Sequence, residues 1–281
     1  VLESKPSITC VTTAVTRACH QVAPDPPVFA DPLAVPILGM DPVELREKTA
    51  GTDNLGRRTW RLFLAARARF AEETIAAGVA AGARQVVLLG AGLETFAYRN
   101  PHAGVRVVEV DHPNTQVMKV HLLRQAGIAV PETVAFAPVD FETQSLADGL
   151  AAAGWRRDEP AVFVWQGVLM YLERPAIAQT LEYVAGQGGP VHLVTDYLQP
   201  VKPTDPEFFH AQDSDLAAAG EPIHTRVTPD EVAELLRSYG FADIDDRSTD
   251  TLLRDYGAWT ADDTAWDMSH VVRAVHRGSA A

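Results

Sequence analysis

Cysteine is scarce in this chain. Cys10 and Cys19 are the only two, and their spacing fits neither a C-x-x-C pair nor a zinc knuckle. No disulfide framework and no metal site are expected, and the cytosol is the natural compartment. Basic residues are short as well, with 24 Lys and Arg against 37 Asp and Glu and a formal net charge of −13. A nucleic-acid backbone or an anionic membrane surface demands clustered Lys and Arg, so neither is an expected partner and a small-molecule or protein substrate is left. Long apolar runs are missing too: nothing approaches the ~18 residues of a membrane span. The first thirty residues carry Thr, Arg, His and Pro throughout with no apolar h-region, so a signal peptide is not expected. No internal repeat and no low-complexity tract occurs. What is present is 281 residues at 47% hydrophobic content, enough for one large α/β domain or a domain with an appended cap.

Prolines at 6, 24, 26, 27, 32, 36 and 42 punctuate the chain up to about Gly56, which predicts a winding cap of short helices. From Leu55 to Ala81, Trp60, Phe63, Leu64, Ala71 and Ile75 recur at helical spacing. Arg57, Arg58, Arg61, Arg67 and Arg69 are interleaved with them, as on a solvated helix face. Residues 1–81 therefore read as an N-terminal helical cap and 82–281 as the core. Beyond Gly82, strand and helix alternate, implying a parallel sheet. The expected strands are Val86–Leu89, Val105–Val110, Val134–Val139, Ala161–Gln166 and Val191–Asp196, with Ile244 and Val271, Val272 and Val275 in late strands. Helices open at Pro113, carrying Val117, Val120 and Leu123, and at Pro175; a Thr228-Pro229-Asp230-Glu231 capping box starts another. The acidic, proline-bearing stretch 198–226 reads as an insertion.

The string Val86-Val87-Leu88-Leu89-Gly90-Ala91-Gly92 is a fully apolar strand running into a glycine turn, the architecture of a nucleotide site. Nineteen residues separate Gly92 from Asp111, the distance at which an acid at the tip of the next strand holds ribose hydroxyls. A dinucleotide site wants a third glycine where Thr95 stands, so NAD is the weaker reading. S-adenosylmethionine, with a cationic sulfonium and no phosphate, needs close backbone approach, an acid for the ribose and polar groups for its methionine end.

Ligands of open α/β sheets bind beyond the carboxyl ends of the strands. Gly90, Ala91, Gly92, Glu109, Asp111, Asp140, Phe141, Gln166 and Gly167 fall there, as do Asp196 and Tyr197. Asp111 is either the ribose ligand or the N-cap of the helix opened by Pro113. Asp140 either bonds the adenine amino group, with Phe141 against the ring, or caps a helix. Gln166 either binds the methionine end or pairs with backbone. Arg67 offers a bidentate bond to a carboxylate.

These residues resemble the motifs of the leucine carboxyl methyltransferase family. The matching strings are Gln85 to Arg99 with its Gly-Ala-Gly-Leu-Glu-Thr centre, Val108 to Pro113 with Lys119, Val139 to Phe141, and Gln166 to Leu172. Asp31 to Ala34, Ala66 to Phe70, Gly220 to Pro222 and Tyr239 to Phe241 extend the resemblance over most of the chain. It implies a class I S-adenosylmethionine-dependent methyltransferase fold, a Rossmann-like and mostly parallel seven-stranded sheet. It also implies that Arg67, Gly90, Asp111, Asp140, Phe141 and Gln166 serve the cofactor. Gln166 stands where the family usually has Glu, Glu94 replaces the commoner Asp, and Phe96 stands where Arg is frequent. The expected activity is O-methylation of a carboxyl or hydroxyl group on a small molecule, such as a secondary metabolite. The alternatives are a protein that binds the cofactor without turnover and, less well supported, an NAD-dependent oxidoreductase.

A carboxylate acceptor needs no base at neutral pH, whereas a phenol or alcohol does. His210, His224, Tyr171 and Tyr197 are the candidates by sequence order, with His210 and Tyr197 foremost; no orienting carboxylate is spaced for His210, which favours an exposed loop histidine over a base. The cap up to Gly56 and the insertion 198–226 are expected to form the acceptor pocket, where Phe208, Phe209 and Trp60 either stack on the acceptor or belong to the core.

Overall fold

A computed structural model describes residues 7–25, 28–52, 54–140, 144–200, 213–218, 220–259 and 268–278. Three helices precede the first strand: α1 (Ile8–Val22), α2 (Pro42–Thr52) and α3 (Leu55–Ala80). There follow β1 (Gln85–Leu89), α4 (Phe96–Arg99), β2 (Arg106–Asp111), α5 (Pro113–Gln125), β3 (Val134–Pro138), α6 (Leu146–Ala152) and β4 (Ala161–Trp165). The described chain is completed by α7 (Arg174–Ala185), β5 (Val191–Leu198), α8 (Pro229–Ser238), β6 (Ala242–Ser248), α9 (Thr249–Asp255) and β7 (Ser269–His276). The seven strands form one sheet in the order β3-β2-β1-β4-β5-β7-β6. Strands β1 to β5 run parallel, and β7 lies antiparallel between β5 and β6.

Every residue of β1 and β4 is buried, because helices cover both faces of the sheet. Side chains alternate across it. Val87, Leu89, Phe163 and Leu193 meet α6, α7 and α8, whereas Val86, Leu88, Val162 and Val194 meet α3 and α9. The sequence places α3 within a cap, but in space it packs on β4 and β5 as a layer of the sheet. Its arginines divide accordingly. Arg69 stays near solvent beside Glu73, while Arg61 and Arg67 turn inward to carboxylate partners.

Helix α5 keeps only part of its expected apolar face. Leu123 is buried, but Val117 is 71% exposed, and the buried side also carries Gln116 and Lys119. Polar partners waiting on β2 and β3 explain the rotation. Lys119 Nζ donates to Glu109 Oε1 at 2.7 Å, and Gln116 Nε2 donates to the carbonyls of Glu109 and Ala137. Two satisfied buried polar groups outweigh one valine left in water.

Candidate functional site

A cleft of about 400 Å³ opens at the carboxyl ends of β1, β2 and β4, where the crossover direction of the parallel sheet reverses. Its floor is the Leu89 to Glu94 turn, one side is Asp111, His112 and Asp140, and the other is Arg67, Gln166 and Gly167. Helix α1, Trp60, Tyr171 and residues 220–224 close it from above. Among the described residues no group of three His, Cys, Asp or Glu is placed to hold a metal ion, and no helix is long and apolar enough to cross a membrane.

The glycines have conformational reasons. Gly90 and Gly92 adopt φ of +66° and +44°, and a β-carbon on Gly90 would stand 2.3 Å from Val168 Cγ2. Position 95 is Thr for an equally local reason. Its hydroxyl is fully buried and donates to Asp31 at 2.8 Å, in a network where Arg17 grips both Asp31 and Glu94, and Arg99 reaches Asp31 and Glu72. Burial works against the charge on Glu94, but Arg17 and Arg99 hold its pKa at about 2. Glu94 Oε1 also accepts from the amides of Thr95 and Phe96 at 2.8 and 3.3 Å. The amides that would receive a pyrophosphate are therefore filled by the chain's own carboxylate. The turn fits a nucleoside without phosphate.

Asp111 lies across this turn. Its Oδ2 accepts from Gly92 N at 2.5 Å and its Oδ1 from His112 N at 2.7 Å. Burial raises its pKa, and these two bonds oppose the rise. The helix-cap alternative is filled by His112, whose side chain accepts from Asn114 N. Asp140 likewise lines the cleft while Ser145 caps α6. Glu109 is corrected: it does not line the cleft. Its two oxygens are taken by Lys119 and by Tyr98 Oη at 2.8 Å, beneath α5, and burial pushes its pKa up despite Lys119. Glu109 and Asp111 share a strand face, but only Asp111, the last residue of β2, lines the cleft.

On the opposite wall Arg67 Nη1 donates to Asp196 Oδ2 at 2.5 Å, and Gly167 N donates to Asp196 Oδ1 at 2.6 Å. Gln166 lines the cleft, with its amide nitrogen donating to the Arg67 carbonyl at 3.1 Å. Both roles weighed for Gln166 are thus open to one side chain. Tyr197 is the second correction. It points to the sheet face covered by α7 and α8, fully buried, with its hydroxyl donating to Asp246 at 2.6 Å and its ring on His270. One residue of strand alternation separates it from Asp196. His210 and Phe141, with Phe208 and Phe209, lie outside the described residues.

Helix α1, within the cap expected to help form the acceptor pocket, contributes a further wall. Cys10 sits 3.1 Å from where a Gly92 β-carbon would be, and burial together with Asp111 pushes its thiol up to about 12, which makes it packing and not a nucleophile. The amides of Ile8 and Thr9 donate to Glu221 at 3.1 and 2.9 Å, so a carboxylate more than 200 residues downstream caps the helix. The Tyr171 hydroxyl near these groups is held protonated by burial, then by Glu221 and Asp196. His224 reaches the mouth from a loop whose amide bonds the Met170 carbonyl. Position 196 at a strand tip and the Gly220-Glu221-Pro222 string were the residue-level signals for this wall; α1, rich in Thr and Val, carries little helix propensity of its own.

A model of the leucine carboxyl methyltransferase family matches residues 10–185. YktD of Bacillus subtilis, named as a candidate S-adenosyl-L-methionine-dependent methyltransferase, is 31% identical over 220 residues, covering 75% of this chain and 72% of that protein. A Frankia alni protein with the same kind of name is 36% identical over 184 residues, and the alignment spans 63% of each chain. The crystal structure of a candidate methyltransferase from Thermobifida fusca superposes with a TM-score of 0.58 at 17% identity, over 99% of this chain and 97% of that one. That likeness shows a shared fold.

Proposed function

The chain belongs to the leucine carboxyl methyltransferase family and has the class I S-adenosylmethionine-dependent methyltransferase fold, and from that premise we propose that it methylates a carboxyl or hydroxyl oxygen of a small molecule. The observation that carries the reading is the turn at Gly90 to Glu94. Its two glycines line the cleft in positive-φ conformations, its phosphate position is filled by Glu94, and Asp111 stands beside it. Such a set fits an adenosyl sulfonium and does not fit a pyrophosphate.

When bound, S-adenosylmethionine would supply an electrophilic methyl for in-line transfer from its sulfonium sulfur to an acceptor oxygen. The protein's part is alignment in a site closed to water. Asp111 keeps acceptor capacity for ribose hydroxyls beyond its two amide bonds, and Asp140 faces the base end. Arg67, with a fork of donors of which Asp196 takes one side, holds the methionine carboxylate. Gln166 adds a neutral polar contact. Helix α1, Trp60, Tyr171 and His224 enclose the acceptor end.

Thermal denaturation with each ligand tests this. S-adenosylhomocysteine at a hundredfold excess over its Kd should stabilise the protein by about 2.7 kcal/mol, while NADH should leave the midpoint unchanged. A shift with NADH alone would overturn the reading. Mass spectrometry of products from an acceptor panel then separates transfer from binding without turnover, since only transfer releases S-adenosylhomocysteine.

A further inference from the structure

The cleft neutralises its own anion-binding features one after another. The Thr95 and Phe96 amides are occupied by Glu94, and the α1 amides of Ile8 and Thr9 by Glu221. Arg17 is paired with Asp31 and Glu94, and Arg67 and the Gly167 amide are paired with Asp196. Among the described lining residues, four carboxylates face two guanidinium groups: Glu94, Asp111, Asp140 and Glu221 against Arg17 and Arg67. Such a wall attracts a cation and repels a second anion. An acceptor carboxylate entering it would lose its hydration without gaining an unpaired positive partner among the described residues, because the remaining donors of Arg67 serve the methionine carboxylate.

We infer that the acceptor is an uncharged aromatic hydroxyl compound, a phenol or enol, and not a carboxylate; this rests on the methyltransferase reading above. Trp60, Met170, Tyr171 and Leu172 give the acceptor end apolar and aromatic surface for a flat ring. His224 takes the proton. In the step, the acceptor O–H bond breaks with its proton passing to the imidazole, the oxygen forms the O–CH3 bond, and the S–CH3 bond breaks with its electron pair remaining on sulfur. The products are a neutral methyl ether and a neutral thioether.

The test uses the full chain loaded with S-adenosylhomocysteine and compares naphthol with naphthoate, two probes of one shape differing in charge, by calorimetry. Naphthol should bind at least about tenfold more tightly. Replacing Asp196→Asn unmasks Arg67 and should raise naphthoate affinity severalfold. Glu221→Gln, freeing the α1 amides from a charged partner, serves the same purpose should the first variant not fold. Equal or tighter binding of naphthoate overturns the inference, as does a failure of both probes to bind the loaded protein. If S-adenosylhomocysteine itself does not bind, the methyltransferase reading falls first, which the same titration reports separately.

Discussion

Asp111 and Tyr197 mark the two outcomes of reading a strand end residue by residue. Asp111 was legible because its distance from Gly92 follows from the length of one β-α-β turn, and the structure brings the two together at 2.5 Å. Tyr197 and Glu109 were not: Tyr197 faces the layer opposite to Asp196 and is claimed by Asp246, whereas Glu109 shares the face of Asp111 but is taken by Lys119 and Tyr98. Two substitutions follow. Asp111→Ala should weaken S-adenosylhomocysteine binding by about 1 to 3 kcal/mol in calorimetry. Tyr197→Phe should leave kcat and KM untouched while lowering stability to urea by about 1 kcal/mol, since it strips a hydrogen bond from Asp246 in the core; a loss of turnover in a stably folded Tyr197→Phe would return that hydroxyl to the reaction.

Among the elements, α1 is the one whose placement depends most on distant chain. It lines the cleft with Thr9, Cys10, Thr13 and Arg17, and it is held at its N-terminus by Glu221 and along its inner face by the Arg17 pairs to Asp31 and Glu94. A carboxylate at a helix N-terminus contributes about 1 kcal/mol. Glu221→Gln should therefore speed amide hydrogen exchange in the first turns of α1 severalfold and leave β1 and β4 unchanged. Uniform acceleration across the sheet would mean that Glu221 supports the whole fold and not this helix. The strands themselves were readable, since a parallel sheet covered on both faces demands continuous apolar runs. The face of α5 was readable at Leu123 alone, because a buried Lys119 and an exposed Val117 break the periodic signal.

For the molecule as a whole, acid should be the sensitive direction. His20 is buried near Arg61, and burial first, then Arg61, lowers its pKa to about 4 from 6.5. A group depressed on folding contributes its full stability above the unfolded value and loses it as pH falls toward the folded one, so the loss should run from about 6.5 down to about 4. It amounts to roughly 3 kcal/mol. Glu94, held at about 2, adds a further loss below about 4.5. Urea unfolding at a series of pH values checks this: His20→Leu should flatten the upper limb, and an unchanged limb would assign it to other groups. The sequence by itself determined the sheet, the glycine turn and the acid beside it, because these depend on local periodicity and on spacings within one β-α-β unit. Only the tertiary structure decided which carboxylate meets which cation, that α1 roofs the cleft, and that Glu94, Asp196 and Glu221 fill the anion-binding positions. Apart from Glu94 on the next two amides, those pairings join residues tens to hundreds of positions apart, and a charge's partner is set by where the chain returns in space.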